Sequence, residues 1–167
     1  KEYNVIATCR EPDKAKNLQK LKAENKNLLS IVKLDVRYAT SRDLVAEKIS
    51  KIVNRIDLLI NNAGIIAGTR RNIPFGELYK EDFTKVFQTN SIGPLLLAER
   101  LIDLIKRSPQ ARIINVSSQM GSITRKSYGG EYSYSASKAA LNMFTKLMAN
   151  DLRKDRVIVL SLSLIHI

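Results

Sequence analysis

Short apolar runs alternate along the chain with longer segments whose apolar residues recur at helical spacing. A nearly continuous apolar run indicates a strand that is covered on both faces, and a stripe of apolar residues three and four apart indicates an amphipathic helix. Strands are predicted at residues 3–9, 29–36, 57–61, 112–116 and 157–162, and helices at 13–26, 41–55, 81–106 and 134–153. This order predicts an α/β fold, a doubly wound parallel sheet with helices on both faces.

The longest predicted helix, residues 81–106, contains Gly93 and Pro94 in its interior. Proline has no backbone N–H and its ring clashes with the carbonyl one turn earlier. We therefore expect this helix to bend near Gly93–Pro94.

Tyr134 and Lys138 are the first candidates for chemistry. They lie four residues apart on a predicted helix, which places both side chains on one face, one turn apart. An ammonium at that distance favours the phenolate, so Tyr134 is a candidate general acid for a carbonyl oxygen. It is the one tyrosine among the 6 in the chain with a lysine four residues later. Taken alone, the pair also fits an ordinary surface contact.

Three further motifs precede this pair, each at or near a position where an α/β sheet places its ligands. The sequence Asn-Asn-Ala-Gly, residues 61–64, follows a strand, Asn90 lies inside the long helix, and Asn-Val-Ser-Ser, residues 115–118, ends another strand. With Tyr-x-x-x-Lys they resemble, in the same order, the short-chain dehydrogenase/reductase (SDR) family. The resemblance extends to about Leu162 and is strongest to carbonyl reductases and C-factor-like proteins. It implies a Rossmann-like fold and an oxidoreductase that uses a nicotinamide cofactor.

The resemblance also implies a role for each residue of the predicted catalytic set. Tyr134 would protonate the carbonyl oxygen, and Lys138 would favour its phenolate and bind the nicotinamide ribose hydroxyls. Ser118 would orient the substrate carbonyl, and Asn90 would hold a water in the proton relay. The neighbouring Ser117 is the alternative serine, but we expect it to be a hydrogen-bonded hydroxyl at the strand end.

The predicted cofactor is NADP(H). NAD-specific members of the family usually carry an acidic residue after their second strand, where this chain has Arg10. A guanidinium suits a 2′-phosphate in charge and geometry, although the adjacent Glu11 opposes it. The resemblance implies that Asp35 bonds the adenine amino group and that Val36 flanks the ring.

The resemblance implies that Asn61, Ala63 and Gly64 pack beside the adenosine ribose and stabilise the central strand. Ala63 and Gly64 are assigned to the cofactor site. Two interpretations of Asn62 have equal weight: it contacts the cofactor, or it is a turn residue whose side chain bonds its own backbone.

Bulk composition limits the alternatives. The net charge of +12 comes from basic residues spread from Lys1 to Arg156, so we interpret it mainly as solvated surface with some attraction for cofactor phosphate. A nucleic-acid binder would need a recognised motif, which the sequence lacks. A single cysteine, Cys9, fits a reducing, cytoplasmic compartment. A small carbonyl substrate is the expected partner, and a homo-oligomer, dimer or tetramer, is compatible with the resemblance. A non-catalytic regulatory or signalling protein of the same fold is the second hypothesis.

Two departures from the family pattern affect the predicted boundaries. The chain starts at what resembles the second strand, without the first strand and its glycine-rich phosphate turn. Residues 163–167 do not resemble the family, and the lone His166 among them receives no role. We therefore expect residues 1–162 to be part of the nucleotide-binding domain of a longer enzyme, with two unpaired strand edges in the middle of the sheet.

Overall fold

The computed structural model of the chain describes residues 3–66 and 73–163, and strands alternate with helices throughout them. The predicted α/β class is confirmed. The strands are β1 (Val5–Cys9), β2 (Leu29–Lys33), β3 (Leu58–Asn61), β4 (Arg112–Ser117) and β5 (Ile158–Ser163). The helices are α1 (Lys16–Glu24), α2 (Ala39–Ile52), α3 (Lys80–Phe87), α4 (Gly93–Arg100), α5 (Ile102–Lys106) and α6 (Tyr132–Asp151). Of the predicted tail, residues 164–167, including His166, lie outside the described residues.

The strands form two parallel sheets. β1 pairs with β2, and β3, β4 and β5 pair in that order, while the described residues contain no ladder between β1 and β3. β1 and β3 each have one side without a partner strand, and both carry exposed apolar side chains, among them Val5, Leu58 and Ile60. The expected unpaired edges of β1 and β3 are therefore present, and the single sheet predicted from the pattern is divided between them. Ser163, assigned to the atypical tail, is the last residue of β5 and pairs with Ser117.

One hydrophobic core joins the two sheets. Its buried members come from β2, α2, α4, α5, β4, α6, β5 and the segments beside them: Val32, Leu34, Val45, Ile49, Leu97, Ala98, Leu101, Leu104, Ile105, Ala111, Ile113, Met148, Val157 and Val159. Within the described ranges, no helix is long and apolar enough to cross a membrane.

The long helix predicted at residues 81–106 is interrupted where its proline stands. Between α3 and α4 the chain makes a π turn, Gln88–Ile92, that is closed by a bond from the Gly93 N–H to the Gln88 carbonyl. Pro94 has no N–H to donate to the carbonyl of Asn90, four residues earlier, and its ring would clash with that carbonyl in an α-helix. A wider turn avoids the clash. The predicted irregularity is thus confirmed, as a π turn, and a further break at Leu101 separates α4 from α5.

Candidate active site

Tyr134 and Lys138 are brought together as their spacing predicts. Both lie in the first half of α6, and the Lys138 Nζ is 5.7 Å from the centroid of the Tyr134 ring. α6 packs against β4 and β5, so the pair lies beside the carboxyl ends of these strands. This is the edge at which parallel α/β sheets bind ligands.

The Lys138 ammonium is held inside the protein. The residue is 3% exposed, and its Nζ donates to the Val116 carbonyl over 2.7 Å at the end of β4. Burial lowers the pKa of the Lys138 ammonium, because the charged form loses hydration. A lysine ammonium carries three protons, so the carbonyl leaves it further protons to donate.

Asn90 ties together three parts of the site. It lies in the π turn, fully buried, and its carboxamide accepts from the Ile65 N–H over 2.8 Å and donates to the Ile65 carbonyl over 2.9 Å. A further bond of 3.1 Å runs to the Ser137 hydroxyl of α6. Asn90 therefore fixes the segment that follows β3 against α6. Its predicted role in holding a water stays a prediction.

The two serines after β4 differ in their surroundings. The Ser118 hydroxyl oxygen accepts the Met120 N–H over 3.2 Å, which leaves its own proton available to donate. Ser117 is buried, yet its Oγ has no hydrogen-bond partner among the described residues. The expectation that Ser117 is hydrogen-bonded is therefore wrong. The choice of Ser118 as the catalytic serine stays a prediction.

The Asn-Asn-Ala-Gly motif divides into one structural residue and three exposed ones. Asn61 is buried, whereas Asn62, Ala63 and Gly64 are exposed after the end of β3. A Cβ on Gly64 would lie 3.5 Å from the Lys138 Nζ and 3.7 Å from the Asn90 Oδ1. The glycine therefore keeps the space beside the lysine open, as a ligand at this edge requires.

A chain of buried side-chain hydrogen bonds links the elements that carry the site, and the motifs alone did not predict it. Asn61 Nδ2 donates to Asn115 Oδ1 over 2.8 Å, and Asn115 Nδ2 donates to the Thr145 hydroxyl over 2.9 Å. The Thr145 hydroxyl in turn donates to the Leu141 carbonyl over 2.7 Å. The chain joins β3, β4 and α6. The available signal was the position of Thr145, seven residues after Lys138 and so on the same helix face.

Gly121 is a second residue that sequence reasoning missed. It ends the short 3₁₀ turn after Ser118, and a Cβ there would lie 2.7 Å from the backbone carbonyl carbon of Lys138. Only a glycine lets this turn touch the backbone of α6. The side chain of Asn142 closes the contact with a 3.3 Å bond to the Gly121 carbonyl.

The predicted nucleotide residues meet at the ends of β1 and β2. Cys9 pairs with Lys33 in the sheet, so Arg10 and Asp35 follow neighbouring strand ends. The hydrogen-bonded guanidinium of Arg37 holds the pKa of the Asp35 carboxyl below its usual value, and the charge of Arg10 acts in the same direction. Val36 packs against Gly93, where a Cβ would lie 3.0 Å from the valine Cβ.

The comparison with protein families decides what this arrangement is. A sequence profile described as short chain dehydrogenase matches residues 1–165. The chain belongs to the short-chain dehydrogenase family. The resemblance inferred from the four ordered motifs is confirmed.

Relatives of this short-chain dehydrogenase include proteins of several kinds. Carbonyl reductase Sniffer of Drosophila melanogaster has a TM-score of 0.88 and 30% identity, covering 95% of this chain and 67% of its own. An NADPH-bound carbonyl reductase from chicken fatty liver has a TM-score of 0.87 and 36% identity, covering 97% and 68%. C-signal of Myxococcus xanthus is 35% identical over 100 residues, which are 60% of this chain and 58% of that protein.

The chain spans only part of these proteins. It covers 58% of the C-signal length and 61% of an uncharacterised oxidoreductase of Schizosaccharomyces pombe that is 29% identical over 160 residues. What the comparisons establish for this short-chain dehydrogenase is therefore its family, its fold and a place among oxidoreductases. Its own reaction is a separate question.

Proposed function

We propose that the intact protein carrying this chain reduces a carbonyl compound to an alcohol with NADPH, and that Tyr134 is the general acid. The observation that carries the proposal is the pair on α6, in which a buried Lys138 ammonium lies 5.7 Å from the Tyr134 ring. A buried cation beside a phenol favours the phenolate that remains after proton donation.

The proposed reaction balances as one hydride and one proton. When bound, the nicotinamide cofactor supplies the hydride to the carbonyl carbon. Tyr134 gives its hydroxyl proton to the carbonyl oxygen, and the Lys138 ammonium stabilises the phenolate that results. Ser118 donates its hydroxyl proton to the same oxygen, since that proton has no acceptor among the described residues while the Ser118 oxygen accepts the Met120 N–H. Each interaction strengthens as negative charge develops on the carbonyl oxygen, which is the condition for catalysis.

The residues present fit a phosphorylated nicotinamide dinucleotide. Gly64 leaves open the space beside Lys138 that a ribose would occupy, and the Lys138 ammonium has protons for its hydroxyls. Asp35 and Val36 follow the end of β2 and would take the adenine, and Asn62 and Ala63 are exposed after the end of β3. The exposed Arg10 guanidinium suits a 2′-phosphate, which favours NADP(H). The chicken carbonyl reductase, a relative with 36% identity, was crystallised with NADPH.

Replacement of the tyrosine hydroxyl tests the proposal. Tyr134→Phe in the intact protein should lower carbonyl reduction by roughly 10²–10⁴-fold, because general acid catalysis has that magnitude. The affinity for NADPH, measured by calorimetry, should stay nearly unchanged, since the phenyl ring fills the same space. Lys138→Met should reduce both the affinity and the rate.

Tyr128→Phe is the matched control. This tyrosine is 62% exposed in the loop before α6, so its loss of a hydroxyl should not alter the rate. Retention of more than about a tenth of the wild-type rate by Tyr134→Phe would remove Tyr134 from the proton transfer.

The similarity to C-signal, whose name denotes a signal, favours a regulatory protein as the second candidate. Such a protein would bind NADPH without consuming it. The presence of Asn90, Ser118, Tyr134 and Lys138 together favours turnover. NADPH oxidation with a panel of aldehydes and ketones separates the two candidates, because only the enzyme gives a rate that Tyr134→Phe abolishes.

We also propose that the protein acts on a small molecule in the cytoplasm, a proposal supported by its lone cysteine. A dimer or tetramer would be compatible with this function. Light scattering of the intact protein and fractionation of the cells that produce it test these two points.

A further inference from the structure

The carboxylate of Asp35, which is predicted to bind adenine, accepts hydrogen bonds from the guanidinium of Arg37. Arg37 Nε donates to Asp35 Oδ1 over 3.0 Å, and Arg37 Nη2 donates to Asp35 Oδ2 over 2.6 Å. The backbone N–H of Arg37 adds a 3.1 Å bond to Oδ1. A two-pronged guanidinium–carboxylate contact fixes orientation as well as distance. The Asp35 side chain therefore has one defined position before any ligand arrives.

The backbone of the same turn is anchored by the start of α2. The Asp35 N–H donates to the Ser41 hydroxyl oxygen over 2.9 Å, and Arg42 Nη1 donates to the Val36 carbonyl over 2.7 Å. Arg42 is only 7% exposed, so this anchor lies inside the protein. Arg37 thus orients the carboxylate on a backbone that is itself held in place.

The carboxylate keeps room for one more donor. An ionised carboxylate offers about four acceptor positions, two on each oxygen. Arg37 fills two on Oδ1 and one on Oδ2, which leaves one position on Oδ2. The side chain is 18% exposed, so that position is not sealed from a ligand. A base with an amino group can donate to it, whereas a base with a carbonyl at the same place would be repelled.

We propose that Arg37 is a positioning residue for base recognition, which holds Asp35 so that its remaining acceptor reads the amino group of the cofactor's adenine. The inference rests on the proposed function, since it requires a dinucleotide at this edge. Arg37 does not itself take the 2′-phosphate, because two of its nitrogens are committed to Asp35. That task falls to the exposed Arg10.

The test compares NADPH with its hypoxanthine analogue, in which a carbonyl replaces the adenine amino group. In the intact protein, calorimetry should show about tenfold or greater preference for NADPH, the ratio expected from one charge-assisted bond. Arg37→Gln should reduce the preference to about twofold by weakening NADPH binding. Arg37→Lys should fall between them, because an ammonium cannot make the forked contact.

Arg55→Gln is the matched control, because Arg55 also pairs with an aspartate two residues away, Asp57, over 3.1 Å, before β3. It should leave the preference unchanged. Asp35→Asn should lose the same preference as Arg37→Gln, and the double variant should lose no more. This second variant keeps the proposal falsifiable if Arg37→Gln does not fold.

The pH dependence of NADPH binding distinguishes an Arg37 that acts on the Asp35 carboxylate from an Arg37 that only stabilises the fold. The charged groups that act on Asp35 are Arg37, from the same turn, and Arg10, from the end of β1. Their effect lowers the pKa of Asp35, so wild-type binding should persist as pH falls until this low pKa is reached. In Arg37→Gln the pKa rises, so NADPH binding should fall at a higher pH. A merely structural arginine would weaken binding equally across the range.

Two outcomes distinguish a failure of the role of Arg37 from a failure of the proposed function. If the wild type binds NADPH but Arg37→Gln keeps both the preference and the pH profile, the role of Arg37 is disproved and the proposed function stands. If the wild type binds neither dinucleotide, the proposed function fails and this inference fails with it.

Discussion

The two sheets of the molecule hold their polar residues in different ways. In the sheet of β3, β4 and β5, Asn115 is fully buried and joins neighbouring elements through its carboxamide. In the sheet of β1 and β2, the covering helix α1 has no buried residue, and the polar candidates Arg10 and Asp35 lie at or near the surface. The residues proposed for proton transfer thus lie on a buried hydrogen-bond network, whereas the residues proposed for nucleotide binding lie nearer the surface.

This contrast follows from what each half has to do. Proton transfer requires hydrogen-bond distances, so under the proposed function a small displacement of Tyr134 would be costly and its helix would need rigid support. A cation attracts a phosphate over several ångströms, so an arginine at the surface does not need the same precision. The comparison predicts that substitutions in the first half affect folding and that those in the second affect ligand choice.

Truncation of one leucine in each half should give the largest difference. Leu141 of α6 is 1% exposed and Leu21 of α1 is 50% exposed. Leu141→Ala should lower the free energy of unfolding of the intact protein by about 2–5 kcal/mol, because it leaves a cavity in a packed interior. Leu21→Ala should cost about 0.5 kcal/mol. Urea denaturation measures both, and equal costs would abolish the contrast.

Removal of the Asn115 carboxamide, which lies in the middle of the buried hydrogen-bond chain, should have the next largest effect. Asn115→Ala deprives both Asn61 and Thr145 of a buried partner, at about 1–3 kcal/mol for each group left unpaired. We expect a loss of about 2–4 kcal/mol in urea denaturation. Asn150→Ala, at an exposed position near the end of α6, is the control and should cost nothing, since alanine favours helix. A cost below about 0.5 kcal/mol for Asn115→Ala would show that water replaces the missing bonds.

Two glycines near the site sharpen the comparison further. Gly121→Ala would bring a Cβ to 2.7 Å from the Lys138 backbone, whereas among the described residues a Cβ on Gly129 would meet only the Tyr132 hydroxyl, at 3.7 Å. The first variant should lose about 1–3 kcal/mol of stability through overpacking, and the second should stay within about 0.5 kcal/mol. Thermal melts of the two variants give the answer. Identical melting temperatures would mean that the turn and α6 separate freely.

Charge reversal in the nucleotide half should have the smallest energetic effect, and it should appear in binding. Arg10→Asp should reduce the preference for NADPH over NADH by about tenfold or more, or about 1.4 kcal/mol, because a 2′-phosphate then meets a carboxylate. The unfolding free energy should hardly change, since Arg10 is exposed. Arg153→Asp, an exposed reversal after α6, is the control. Equal kcat/KM for the two cofactors in the wild type would show that Arg10 is merely solvated.

The sequence predicted the parts of this structure that depend on local pattern. Strand and helix order, the irregularity at Pro94 and the pairing of Tyr134 with Lys138 all follow from spacing along one chain segment. The contacts that it did not predict, such as Asn115 with Thr145 and Gly121 with α6, join residues that are far apart in sequence. Their geometry depends on how closely the elements pack, which no local pattern encodes.

Two other differences have the same origin. Arg37 lies two residues from Asp35, yet the hydrogen bonds between them depend on the rotamers of both side chains. The turn that carries these side chains is itself held by α2. The division into two sheets depends on which strands meet at an edge. Both depend on how the elements pack, so the sequence indicated Asp35 and the five strands but neither Arg37 nor the division of the sheet.

The π turn at Gln88–Ile92 makes the number of residues there as important as the buried side chain of Asn90 that it carries. Each residue of an α-helix advances the chain by about 100° around the axis. Deletion of one residue from this turn would therefore re-phase α3 against α4, and the buried Val86 of α3 could no longer face inward while α4 keeps its own apolar side in the core. Asn90 would swing away from Ile65 in the same step. In the divergence of such a chain, a change in the length of this turn would be tolerated as poorly as an exchange of the buried Asn90.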